Sequence, residues 1–162
     1  MSKLFKKLNY KDQAVIHVVN APYDFRPILE EMKEFCKIKS TLASAKEVTF
    51  LLVFVTKQKE VDEIAKDMDS VSGHDAVFWF AYPKGTSKKY ACEFNRDNGW
   101  KQLGKLGYEG VRMVAIDADW TALRFRKVQY IKTMSRGFAM SEAGKKKASE
   151  TVQKNPQKKD KK

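Results

Sequence analysis

The sequence predicts a three-layer α/β domain: a mostly parallel sheet of about six strands that ends in an antiparallel β-hairpin. Three observations predict it. Short, uninterrupted apolar runs rich in β-branched and aromatic residues recur along the chain, as strands buried on both faces require. Segments with apolar residues at helical spacing lie between them. The last two strand-like runs are joined by five residues, 117–121, which suits a hairpin and is too short for a crossover helix.

Each element follows in order. Ala14 to Asn20 is the first buried strand, stopped by Ala21 and Pro22. Asp24 is placed to cap the next helix, with Pro27 tolerated in its first turn. Ile28, Leu29, Met32 and Phe35 form that helix's apolar face. Lys37 to Leu42 alternates weakly and predicts a short edge strand. Val48 to Val55 is the most continuous apolar run, so it belongs at the sheet centre. Thr56 is expected to cap a helix built on Val61, Ile64, Ala65 and Met68, and Gly73 to end that region. Asp75 to Tyr82 is a further buried strand, halted by Pro83. Asn95 to Leu106 predicts a third helix with Trp100, Leu103 and Leu106 on one face, stopped at Gly107 or Gly110. Val111 to Ile116 and Ala122 to Val128 form the closing hairpin.

Strands alternating with helices imply right-handed parallel crossovers. With a terminal hairpin in the sheet, the order is Rossmann-like, in the form of a minimal class I methyltransferase-like fold. Fold likeness of this kind licenses no chemistry.

Four segments in this order carry a family resemblance: Lys7 to Lys11 (KLNYK), Asn20 to Phe25 (NAPYDF), Phe78 to Lys84 (FWFAYPK) and Ala115 to Phe125 (AIDADWTALRF). Together they resemble the bacterial domain-of-unknown-function family 3052, over about Lys6 to Val128. The resemblance implies a Rossmann-like fold. It brings no established activity, substrate or catalytic residue to transfer.

Composition bounds the rest. The chain has 162 residues, 43% of them hydrophobic, including ten Phe and three Trp, so it can bury a core. No apolar run is long enough to span a bilayer, and the charged start leads into no signal-like stretch, so a cytoplasmic protein without membrane contact is expected. Cys36 and Cys92 stand in no metal-binding or redox spacing and are expected to be reduced, packed thiols. Net charge is +12, unevenly spread: Gln129 to Lys162 holds ten Lys/Arg against three Asp/Glu. Residues 1–130 are expected to be the domain and residues 131–162 a basic, disordered tail.

The turn after the first strand, Asn20 to Phe25, lacks the glycines of dinucleotide and adenosylmethionine sites, and Pro22 removes a backbone donor. Residues 37–46 hold no carboxylate for a ribose. No cofactor, metal or catalytic residue is therefore predicted. Pro83 to Lys89 leaves the carboxyl end of a central strand with Gly85, two hydroxyls and three lysines, which is phosphate-binding material without P-loop spacing. Arg96 is placed to widen that edge. Asp117 and Asp119 could hold a cation or pair as acid and base, but turn formation beneath a Trp120 lid accounts for them more simply. His17 reads as a core residue and His74 as solvated. Arg124 and Arg126 share one strand face and either pair with carboxylates or widen a basic patch.

These readings converge on a non-enzymatic, Rossmann-like domain that binds an anionic small molecule or a protein partner at the carboxyl edge of its sheet. The candidate ligand-binding residues are Asn20, Lys84, Thr86, Ser87, Lys88, Arg96, Asp119 and Trp120. The alternatives are a diverged methyltransferase-like transferase and non-specific nucleic-acid association through the lysine-rich tail.

Overall fold

The structure, a computed structural model, describes residues 1–95 and 97–131. Arg96 and the segment 132–162, on which the expected tail falls, lie outside the described residues.

Six strands form one sheet in the order β2-β1-β3-β4-β6-β5. They are β1 (Val15–Val19), β2 (Lys37–Lys39), β3 (Val48–Phe54), β4 (Ser72–Pro83), β5 (Tyr108–Ala115) and β6 (Trp120–Lys127). The pairs β1–β2, β1–β3 and β3–β4 are parallel. β6 runs antiparallel to both β4 and β5, so it alone is reversed. The mostly parallel sheet and its closing hairpin match the expectation from sequence. The uninterrupted runs explain the centre: Phe50 through Phe54 on β3 and Phe78 through Tyr82 on β4 are buried on both sides.

Each face carries its own core. Helix α3 (Gln58–Ser70) and the short α4 (Lys101–Lys105) cover one face, where Val61, Ala65, Met68, Trp100 and Leu103 meet Leu51, Val53, Phe78 and Phe80. Helices α1 (Lys3–Lys7) and α2 (Arg26–Met32) cover the other, where Phe5, Leu8, Phe25 and Met32 meet Ile16, Phe50, Leu52 and Trp79. The Trp79 indole N–H donates to the Leu8 carbonyl at 2.8 Å, which ties the N-terminal helix to the central strand.

Several boundaries differ from the sequence reading, each for a local reason. The helix expected over Asn95–Leu106 shrinks to α4. Asn95 N–H donates to Asn98 Oδ1 and Asp97 N–H to Asn95 Oδ1, both at 2.8 Å, and these side chains compete with helical bonds. Gly99 then turns at φ +91°, where a Cβ would lie 2.6 Å from Phe94 Cβ. Asp24 caps nothing. It sits in a 3₁₀ turn, Tyr23–Phe25, that precedes α2 and points its carboxylate at Lys89. Thr56 is likewise no cap. The cap runs backwards from Glu60, whose Oε1 accepts from the N–H groups of Thr56 (2.9 Å) and Lys57 (3.1 Å). Phe35 lies past the end of α2 and is 46% exposed. Strand β2 stops at Lys39, Gly73 lies inside β4 rather than ending α3, and Trp120 opens β6 rather than closing the hairpin loop.

Candidate functional site

The carboxyl edge of the parallel strands gathers the ends of β1, β3 and β4 and the start of β6. Asn20 follows β1 in the left-handed region, at φ +60°, and is exposed. Two strands away, Lys84 follows β4, and its N–H donates to the Asp119 carbonyl at 2.8 Å. Pro83 pairs with Trp120, so the register of β4 on β6 itself delivers Asp119 and Trp120 to this edge. The structure therefore brings together Asn20, Lys84, Thr86, Ser87, Lys88, Asp119 and Trp120. Arg96 is not among the described residues.

Much of the polar material at this edge is already engaged. Ser87 Oγ donates to Asp119 Oδ1 at 2.9 Å and accepts from the Tyr90 N–H at 3.1 Å. The Lys89 ammonium lies 2.5 Å from the Asp24 carboxylate and joins the turn after β1 to the loop after β4. That partner pushes the Lys89 ammonium above its ordinary value. Asp117 Oδ1 accepts from the N–H groups of Asp119 (2.8 Å) and Trp120 (2.9 Å), which makes it a turn residue. Lys84 is half-buried, while Thr86 and Lys88 are exposed and carry the groups left facing solvent.

Aromatic rings fill the floor beneath. Phe25 packs edge-on against Phe54 at 5.0 Å, Phe54 against Trp120 at 5.0 Å, and Trp120 against Tyr90 at 4.9 Å. On the opposite face, residues 92–95 fold back over the start of α3. Glu93 N–H donates to the Thr56 carbonyl at 3.0 Å, and Glu93 Oε1 accepts from the Gln58 N–H at 2.9 Å. A helix N-terminus attracts anions through free N–H groups. Here the chain's own Glu60 and Glu93 carboxylates occupy that place. Glu93 was invisible to sequence reasoning, because its partner Gln58 lies 35 residues away.

The remaining reactive groups offer little. Burial pushes the thiols of Cys36 and Cys92 up, away from the thiolate. His17 is buried between strands, and desolvation lowers its imidazole, which keeps it neutral. Among the described residues no group of three His, Cys, Asp or Glu is placed to hold a metal ion. No helix there is long and apolar enough to cross a membrane.

The amino edge of the sheet carries a second polar cluster that sequence reasoning missed. A cavity of about 120 Å³ is lined by Ser72, His74, Tyr108, Lys127 and Tyr130, among others. Tyr108 donates to Asp69 Oδ1 at 2.9 Å, and Lys127 lies 3.1 Å from the same carboxylate. Burial raises the Tyr108 phenol far above its usual range. Nearby, Asp75 holds Arg126 through two bonds, of 2.8 and 2.6 Å. Asp75 sits in the left-handed region at φ +45°, inside an irregular stretch where Val48 pairs with Ser72 but Phe50 pairs with Val77. The extra residues of β4 aim its carboxylate at β6.

Comparison with known proteins supplies the fold. A SAM-dependent methyltransferase from Aquifex aeolicus superposes with a TM-score of 0.56 at 12% identity, over 78% of this chain and 88% of that one. An N-methyltransferase from Bradyrhizobium japonicum gives 0.42 at 14% identity, over 68% and 72%. Fibrillarin from Aeropyrum pernix gives 0.44 at 15% identity, over 68% and 54%. No family model and no curated protein matches the chain. The domain thus has a Rossmann-like, methyltransferase-like α/β fold, and identities this low establish the fold alone.

Proposed function

We propose that this domain is a non-catalytic binding module on a methyltransferase-like scaffold. The carrying observation is the carboxyl edge itself. The place where ligands enter open α/β sheets is floored by Phe54, Trp120 and Tyr90 and bridged by Lys89 to Asp24. What remains available there is a rim of Asn20, Lys84, Thr86 and Lys88, suited to an anionic group of a small molecule or of an acidic protein partner. The four segments that resemble domain family 3052 support the same reading, since three of them supply this edge.

The test is thermal denaturation of the full chain with adenosylmethionine, adenosylhomocysteine, nucleotides, sugar phosphates and an acidic peptide. The expected result is no stabilisation by the two adenosyl compounds and a rise in Tm with at least one anionic probe. The rise should be lost in a Lys84→Gln, Lys88→Gln double variant. Ligands supplied far above their dissociation constants stabilise measurably, about 2.7 kcal/mol at a hundredfold excess. Stabilisation by adenosylhomocysteine would overturn the non-catalytic reading.

A second reading, a diverged methyltransferase-like transferase, is favoured by the fold and by the Asp119 carboxylate at the edge. Pro22 in the first turn and the aromatic floor count against it.

A further inference from the structure

The closing hairpin contains an arrangement that opposes folding. Arg112 and Arg124 stand directly opposite each other on β5 and β6. Like charges in a cross-strand pair are destabilising. A bulge creates the pair: Gly110 faces Phe125, the next partners are Arg112 and Arg124, and Val111 is the extra residue between. In regular pairing without the bulge Val111 would stand opposite Arg124, and the Arg112 side chain would point to the other face of the sheet.

The neighbours neutralise the pair only in part. Arg126 shares the face, two residues along, but it takes both oxygens of Asp75. Arg124 is half-buried, and its Nε is buried with no hydrogen-bond partner among the described residues. Burial and the Arg126 charge work against the Arg124 guanidinium, and the Asp75 charge only partly offsets them. Arg112 is exposed and has no salt bridge or side-chain hydrogen bond among the described residues. Three guanidiniums thus lie on one patch of the α1–α2 face, beside the Asp75 carboxylate and the buried Glu109 that stands opposite Arg126.

We propose that Arg112 and Arg124 clamp the phosphate backbone of a nucleic acid. A guanidinium is a planar fork that matches phosphate oxygens, and two forks on directly opposed residues can share one bridging phosphate. A bound phosphate also removes the repulsion that the bulge creates. A polymer fits better than a single small anion for two reasons. The patch lies on an open sheet face near the outer strand. In addition, β6 is followed, after a 3₁₀ turn at Val128–Tyr130, by residues 132–162, whose sequence has ten Lys/Arg against three Asp/Glu. Contacts of this kind go to the backbone and are tolerant of sequence.

Binding of the full chain to a short fluorescent DNA duplex, followed by anisotropy across a salt series, tests this. Arg112→Gln should weaken binding severalfold and reduce the slope of log affinity against log salt by about one, the share of one phosphate contact. The same variant should melt no lower than the parent, because it relieves a like-charge pair. Lys66→Gln, exposed on α3 on the opposite face, should leave affinity and slope unchanged. An Arg112→Gln slope equal to the parent's would overturn the proposal and assign any binding to other basic residues. Absence of binding, or competition by poly-glutamate as effective as that by unlabelled DNA, would overturn it as well.

Discussion

The two edges of this sheet solve the same problem in opposite ways. At the carboxyl edge β4 and β6 pair in regular register up to Pro83 and Trp120, and the loops above are tied to one another. Toward the amino edge both β4 and β5 are irregular, and each irregularity aims a charged residue, Asp75 or Arg112, at β6. One edge ties Ser87, Lys89, Asp24 and Asp119 to one another and leaves a rim of Asn20, Lys84, Thr86 and Lys88. The other keeps positive charge that folding does not balance. The usual expectation for an open α/β sheet places ligands at the carboxyl edge. Here the hairpin carries unpaired charge as well, at Arg112 and Arg124.

The sharpest way to break this contrast is Trp120→Ala. Trp120 is 5% exposed and bridges Phe54 and Tyr90. Truncating a buried aromatic costs about 3–5 kcal/mol, a large part of the 5–15 kcal/mol available to a domain. Urea unfolding should show that loss. A loss under about 1 kcal/mol, the range of surface substitutions, would mean that the floor is not built on this ring.

Asp75→Asn tests the other edge at a smaller scale. Asn tolerates the left-handed backbone that Asp75 adopts, so the substitution isolates the charge from the strain. Loss of the bidentate pair with Arg126 should cost about 1–2 kcal/mol at neutral pH, allowing for partial exposure. The pH dependence has a definite sign. The Arg126 hydrogen bonds hold the Asp75 carboxyl below its ordinary 3.8. Its contribution is therefore present above that value and is lost as pH falls through the lower folded value. Thermal melts from neutral pH down past about pH 4 should converge for parent and variant at the acid end. A gap that stays constant with pH would assign the effect to packing instead.

What the sequence revealed, and what it hid, follows the range of the interactions. Val48 to Val55 and Asp75 to Tyr82 disclosed central strands because burial on both faces leaves no polar positions. The five residues around Asp117 disclosed the hairpin because turn chemistry is local. The short helix α1 was hidden, since five residues carry too little periodicity, and the groups that hold it, Phe25, Phe50 and Trp79, lie far along the chain. Asn95 to Gly99 misled because the helical spacing of Trp100, Leu103 and Leu106 was carried back over it, while its Asx bonds compete with helix. The candidate residues at the carboxyl edge were legible as a group, but their partners were not. Ser87 finds Asp119 across 32 positions and Lys89 finds Asp24 across 65. The Arg112–Arg124 pair depends on a bulge at Val111, which no residue pattern in β5 announces.

The smallest effect is the most diagnostic for the closed edge. Lys89 and Asp24 are both more than half exposed, so their ion pair is screened, and Lys89→Gln should leave the melting temperature unchanged. It nevertheless removes the only salt bridge among the described residues that crosses from the turn after β1 to the loop after β4. Two accounts of the edge then separate. If the aromatic floor and Pro22 exclude an adenosyl ligand, the variant should remain as indifferent to adenosylhomocysteine as the parent in a thermal titration. If the bridge alone acts as a removable bar across a competent site, the variant should gain ligand-dependent stability that the parent lacks. The first outcome is expected, because Trp120, Phe54 and the missing backbone donor of Pro22 all persist when the bridge is gone.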